Sequence, residues 1–201
     1  RNVTTDRCPA DHYEVVALAS SAGGIEALTA VLGPLGADLP VPVLVVQHLD
    51  PRHRTVIAEL LTRRTEMRVK LADADELARP GTVYIAPPDR HLLVGPGGTL
   101  TLSGSELVHF LRPSADLLFE SVAGAYGAQA IGCVLTGTGS DGAMGVDAIK
   151  SRGGTVISED PRTAEFKGMP EAAVGTGSVD FVLPLEEIAA VIRGLVETKR
   201  Q

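Results

Sequence analysis

Three loops of this 201-residue chain carry residue types suited to acyl transfer. Ser21 lies in Ser20-Ser21-Ala22-Gly23-Gly24, His48 follows Val43-Leu44-Val45-Val46-Gln47, and Asp141 sits within Thr136-Gly137-Thr138-Gly139-Ser140-Asp141-Gly142. A serine hydroxyl becomes a nucleophile when an imidazole takes its proton, and a carboxylate on the other imidazole nitrogen fixes the tautomer and stabilises the charged ring. Ser21 has small neighbours at Ala19 and Gly23, in the sense of a small-x-Ser-x-Gly elbow whose tight turn exposes the hydroxyl beside a helix N-terminus. The free N–H groups of such a helix start, here those of Ala22 and Gly23, are candidates to hold an oxyanion. Each residue alone also has a structural explanation: a serine there is a helix cap, a lone histidine after a strand is a hydrogen-bonded core residue, and an aspartate among glycines is a turn residue. Their joint occurrence after successive apolar runs is what singles them out.

Those runs define the elements that must position the three residues. Tyr13 to Leu18 is short, apolar and β-branched, and Ile25, Leu28, Val31 and Leu32 follow at helical spacing, so the order is strand, turn, helix. The pattern recurs with Val43 to Val46 and then Val56, Ile57, Leu60 and Leu61. Between Val69 and Leu102, Pro and Gly pairs separate a strand at Val83-Tyr84-Ile85 from a small hairpin near 90–103. Ser114 is placed to cap a helix through Leu117, Leu118, Val122 and Ala125, and Ile131 to Leu135 then resumes a buried strand. Gly142 to Arg152 predicts a helix, Thr155 to Ser158 and Val179 to Leu183 two strands, and Leu185 to Val196 a last amphipathic helix with Glu186 and Glu187 at its start and Lys199 and Arg200 at its end. Continuous apolar strands alternating with helices give a doubly wound, mostly parallel sheet with helices on both faces, a three-layer αβα, Rossmann-like fold. Ligands bind outside the carboxyl ends of such strands, where all three loops fall.

The third loop also supports a competing reading. Gly137, Gly139 and Gly142 form G-x-G-x-x-G between a strand and a helix, and Glu159 and Asp160 end the next strand, as in a dinucleotide-binding fingerprint. Against it, only about 40 residues follow Asp160 and the Ser20 to Gly24 loop is left without a role.

Composition narrows the partners. A net charge of −7 with few aromatic residues argues against a nucleic-acid surface. Cys8 and Cys133 lack ligand-like spacing, so neither a zinc cluster nor a disulfide framework is expected, and a cytoplasmic protein fits. No apolar run approaches the ~18 residues of a membrane span, so no membrane insertion is expected. The cluster Arg52, Arg54, Arg63, Arg64 and Arg68 is either a surface for acidic partners or a solvated helix face, and His53, His91 and His109 are read as structural or surface residues.

The ordered series Ala19-Ser20-Ser21-Ala22-Gly23-Gly24, Val46-Gln47-His48, Tyr84-Ile85-Ala86-Pro87-Pro88, Arg112-Pro113-Ser114-Ala115-Asp116, Leu135 to Ala143 and Gly168-Met169-Pro170-Glu171 resembles the catalytic domain of the chemotaxis receptor methylesterases, the CheB family. The likeness runs from about Tyr13 to Val196. It implies one catalytic domain over 13–199 after an N-terminal tail of 12 residues, with a Ser-His-Asp triad falling on Ser21, His48 and Asp141. It also implies hydrolysis of glutamate methyl esters on the cytoplasmic helices of chemoreceptors with release of methanol, glutamine deamidation in some members, and no metal or organic cofactor. A regulatory receiver domain, common in the family, would lie outside this chain. The family pattern usually carries Gly where Ala19 and Ser20 stand, Thr at Ala22 and Met at Thr138, which makes the N–H of Thr138 a third oxyanion candidate. Those departures leave one alternative within the fold, a receptor-binding or scaffold module with weakened catalysis.

Overall fold

The computed structural model describes residues 12–48, 56–108 and 111–198. Seven strands form one parallel sheet and two more pair as an antiparallel hairpin. In chain order they are β1 (Val15–Ser20), β2 (Val43–Gln47), β3 (Arg68–Leu71), β4 (Thr82–Ile85), β5 (His91–Val94), β6 (Leu100–Ser103), β7 (Ala130–Val134), β8 (Thr155–Glu159) and β9 (Phe181–Leu183). The helices are α1 (Gly24–Leu32), α2 (Ile57–Thr62), α3 (Ala115–Tyr126), α4 (Ala143–Ser151), α5 (Gly168–Gly175) and α6 (Leu185–Glu197). The sheet order β3-β4-β2-β1-β7-β8-β9 reverses direction between β1 and β7, which is where a doubly wound sheet opens a crevice at its carboxyl edge.

Period-two alternation along β1 divides the core. Val16 and Leu18 face α1, α2 and α6 through Leu28, Leu32, Leu61, Ile188 and Ile192. Val15, Ala17 and Ala19 face α3, α4, α5 and the hairpin through Leu118, Phe119, Ile149, Met169 and Leu92. Both faces of the strand are sealed, which is why it reads as an unbroken apolar run. On the second face α3 and α4 approach closely at Gly145, where a Cβ would lie 2.5 Å from Phe119 Cβ. That approach brings the starts of the two helices together.

Two elements were not expected from sequence. Strand β3 is a partly exposed edge whose Arg68 and Lys70 hide the apolar signal, and α5 carries Pro170 in its first turn, where the missing N–H has no helical acceptor to lose. The first strand lies two residues later than the run Tyr13 to Leu18 suggests. The N-terminal tail apart from His12, and Arg52, His53, Arg54, His109, Lys199, Arg200 and Cys8, lie outside the described residues.

Candidate active site

Ser21 and His48 leave neighbouring strands at one level. β1 and β2 pair in parallel with Ser20 opposite Gln47, and the His48 N–H donates to the Ser20 carbonyl at 3.1 Å. From the other side, the Ser21 N–H donates to the Thr136 carbonyl at 3.0 Å, and the Thr136 hydroxyl donates to the Ala22 carbonyl at 3.1 Å. The serine thus stands at the switch point, held by the ends of both flanking strands. Strain does not fall on it: among the described residues the non-glycine positions with positive φ are Asp75 and Asp89, and the turn's left-handed residue is Gly23, at φ 75°. A glycine two positions after Ser21 is what makes the elbow accessible to an ordinary serine conformation.

Beyond Ser21 the backbone is open. Among the described residues the N–H groups of Ala22, Gly23 and Thr138 have no hydrogen-bond acceptor, and those of Ala22 and Gly23 stand at the start of α1. Donors in that position meet developing negative charge without reorganisation. Glu165 closes one side of this opening, its Oε2 lying 2.6 Å from where a Cβ on Gly23 would stand.

Asp141 is the most heavily hydrogen-bonded side chain of the site. Oδ2 accepts from His48 Nε2 at 2.7 Å and from the Ala115 N–H at 2.6 Å, while Oδ1 accepts from Ser114 Oγ and from the Asp116 N–H, both at 3.0 Å. Burial pushes its carboxyl up, but the bonds from His48, Ala115 and Asp116 together with the histidine charge outweigh it and hold the group below its usual value. The carboxylate is therefore an acceptor only, so the His48 proton sits on Nε2 and Nδ1 is left as the proton acceptor. The His48 side chain is 13% exposed and that of Asp141 1%, so the ring reaches the crevice and its anchor does not.

The same carboxylate caps α3. Ser114 occupies the capping position expected of it, yet its hydroxyl makes no bond to its own helix and goes to Asp141 instead. The favour is returned: Asp116, in the first turn of α3, accepts at Oδ1 from the N–H groups of Gly142 and Gly145 at 3.0 and 2.9 Å and so caps α4. Burial first, and the charge of Asp141, push the Asp116 carboxyl above its ordinary value, although its two backbone bonds oppose the shift.

This reciprocal capping removes the physical basis of the dinucleotide reading. The helix start that would receive a pyrophosphate already holds the Asp116 carboxylate. The Gly137 N–H is given to the Phe166 carbonyl at 2.9 Å, its carbonyl accepts from Met169 N–H at 2.9 Å, and Asp160 is paired with Arg162 at 2.7 Å. Glu159 turns inward to accept from the Thr136 N–H at 2.8 Å, and burial pushes its carboxyl up.

Other sequence candidates fall into place around this centre. His91 is fully buried, takes the Ser114 N–H on Nδ1 at 3.1 Å and donates from Nε2 to the Glu106 carbonyl at 2.9 Å, a structural role. Burial raises the Cys133 thiol, which stays protonated inside β7. Arg63, Arg64 and Arg68 are exposed, as a solvated face or a docking surface both require. Among the described residues no group of His, Cys, Asp or Glu has the arrangement of a metal site, and no helix is long and apolar enough to cross a membrane.

A doubly wound α/β sheet with serine, histidine and aspartate at its switch point defines the class of a serine hydrolase candidate. The chain belongs to the CheB methylesterase family, whose model matches residues 16–192. It is 40% identical over 178 residues to a Leptospira interrogans protein provisionally named protein-glutamate methylesterase/protein-glutamine glutaminase, covering 89% of this chain and 92% of that one. It is also 40% identical over 189 residues to the protein-glutamate methylesterase FrzG of Myxococcus xanthus, covering 94% of this chain and 57% of that one. The crystal structure of the Thermotoga maritima CheB methylesterase catalytic domain superposes with a TM-score of 0.88 at 36% identity, covering 92% of this chain and 99% of that one.

Proposed function

We propose that residues 13–199 act as a catalytic domain that hydrolyses methyl esters on glutamate side chains of chemoreceptor cytoplasmic helices, with Ser21 as nucleophile, His48 as general base and Asp141 as the group that orients it. The observation that carries this reading is the Nε2–H bond to Asp141, which fixes the ring and leaves Nδ1 as the nitrogen free to accept a proton. Ser21 Oγ attacks the ester carbonyl as its proton passes to Nδ1, and the free N–H groups of Ala22, Gly23 and Thr138 receive the oxyanion. The tetrahedral species collapses, the Nδ1 proton goes to the departing methoxide, and methanol leaves an acyl-serine. Water then gives a proton to Nδ1 and its oxygen to the acyl carbon, and the serine departs with that proton to leave a glutamic acid side chain, which releases its own proton to solvent as the carboxylate. With a glutamine substrate the same sequence releases ammonia, which is the deamidase activity. No step calls on a metal or an organic cofactor. Receptors of this kind place their signalling helices in the cytoplasm, and the protein is proposed to act there.

The decisive experiment measures methanol release from methylated receptor helices with the wild type and Ser21→Ala. Loss by a factor approaching ~10⁶ is expected. Substantial activity in the variant would mean that another group is the nucleophile.

A further inference from the structure

Gln47 is neither the nucleophile nor the base, yet it touches the loops of both. It is the last residue of β2 and is only 4% exposed. Its carboxamide oxygen accepts from Ser20 Oγ, a side chain that is itself fully buried. Its carboxamide nitrogen donates to the Ser21 carbonyl at 2.8 Å and to the His48 carbonyl at 3.1 Å. Two carbonyls need two N–H donors and a hydroxyl needs an acceptor, so this orientation of the amide satisfies all three partners at once. Gly24 makes the room: a Cβ there would lie 1.8 Å from Gln47 Oε1 and 2.7 Å from Ser20 Oγ.

We propose that Gln47 is a positioning residue for the hydrolysis: its carboxamide, held by the Ser20 hydroxyl, fixes the backbone of the nucleophile residue against the backbone of the base residue. This rests on the assignment of Ser21 and His48 above. The pairing of β1 with β2 ends at Ser20 and Gln47, with the His48 N–H bond to the Ser20 carbonyl as its last rung, so no backbone bond of that ladder reaches Ser21. A buried, fully hydrogen-bonded amide carries the register one residue further, to the residues that must exchange a proton. Glutamate at this position keeps the acceptor for Ser20 but sets a carboxylate against two carbonyl oxygens, and leucine leaves all three partners unsatisfied.

The test compares wild type, Ser21→Ala, Gln47→Leu, Gln47→Glu and Ser20→Ala in methanol release from methylated receptor, in covalent labelling of Ser21 by a fluorophosphonate probe, and in thermal unfolding. Both Gln47 variants are expected to lower kcat by on the order of 10²-fold per folded molecule, the scale of a displacement of about 1 Å between reacting groups. KM for the receptor should stay within about two-fold, and labelling should slow by the same factor as kcat, because the small probe reads the nucleophile without the receptor. Ser20→Ala, which removes only the hydroxyl, should lower both rates by roughly three- to ten-fold, and it decides alone if neither Gln47 variant folds. Wild-type kcat and labelling in the folded variants would overturn the proposal, as would a loss confined to KM, which would assign Gln47 to receptor binding. Retained activity in Ser21→Ala would instead overturn the nucleophile assignment and this proposal with it.

Discussion

The two halves of the site are built on opposite terms. Around Asp141 the carboxylate is fully engaged before substrate arrives: four donors meet its two oxygens, and two of those donors are the first N–H groups of α3. Around Ser21 the main chain is tied down behind the residue, through Thr136 and Gln47, while the N–H groups ahead of it stay open among the described residues. The Asp141 half is part of the architecture, and the Ser21 half leaves its donors free. At Asp141, therefore, chemistry and stability should fail together, whereas at the Ser21 hydroxyl chemistry should fail alone.

The largest break in that contrast comes from Asp141→Asn. It removes the carboxylate that orients His48 and also caps α3, so kcat should fall by ~10⁴-fold, the scale seen when such a triad loses its acid. Urea unfolding should show a lowered midpoint in the same variant, while Ser21→Ala unfolds within about 0.5 kcal/mol of wild type. Gly145→Ala tests whether the helix approach matters to the base from a distance. Its methyl meets Phe119 at 2.5 Å, so a loss of about 1–3 kcal/mol in denaturant unfolding is expected, with a fall in kcat as the caps separate.

Asp116→Asn probes the same caps through pH. The Asp116 carboxyl lies above its ordinary value of 3.8, so its contribution to stability is present below that value and is lost as the pH rises through the higher folded-state value. Asp141 runs the other way: its contribution is present above the ordinary value and is lost as the pH falls through the lower folded one. Asparagine keeps an oxygen for Gly142 and Gly145 and removes the charge, so the variant should be within about 1 kcal/mol of wild type near pH 4. Its stability relative to wild type should then improve as the pH rises toward neutrality, as read from urea midpoints across that range; a relative decline would place the carboxyl's shift in the opposite direction. The smallest effect belongs to Ser114→Ala, which leaves Asp141 three of its donors and should cost about 0.5–1.5 kcal/mol by thermal unfolding, with a fall in kcat of a few-fold.

The same contrast explains what the chain reveals on its own. The placement of Ser21, His48 and Asp141 at one sheet edge was legible because each follows an apolar strand, and strand order plus sheet geometry brings such positions together. Helix starts were also legible, as Ser114 shows, but not the partners that complete them. Asp116 reads as an ordinary first-turn acid favourable to its own helix, while its acceptor bonds reach backbone groups 26 and 29 residues away. Gln47 reads as the polar end of a strand, and its function emerges only when the neighbouring strand is set beside it. Strand β3 was missed because a partly exposed edge carries charge in place of apolar alternation. The apparent dinucleotide fingerprint shows the converse error. Glycines at the right spacing describe a loop that allows close backbone approach, and here what approaches is a carboxylate and a helix of the chain itself.

The exchange of caps between α3 and α4 also orders events in time. During synthesis Ser21, His48 and Asp116 emerge before Asp141, which follows Asp116 by 25 residues. A ribosome-bound fragment that stops short of Asp141 holds the proposed nucleophile and base, yet its imidazole lacks an anchor and the start of α3 lacks its cap. Hydrolysis should therefore begin only when the later half of the chain has docked, because the carboxylate that completes the fold of α3 is also the one that anchors the imidazole.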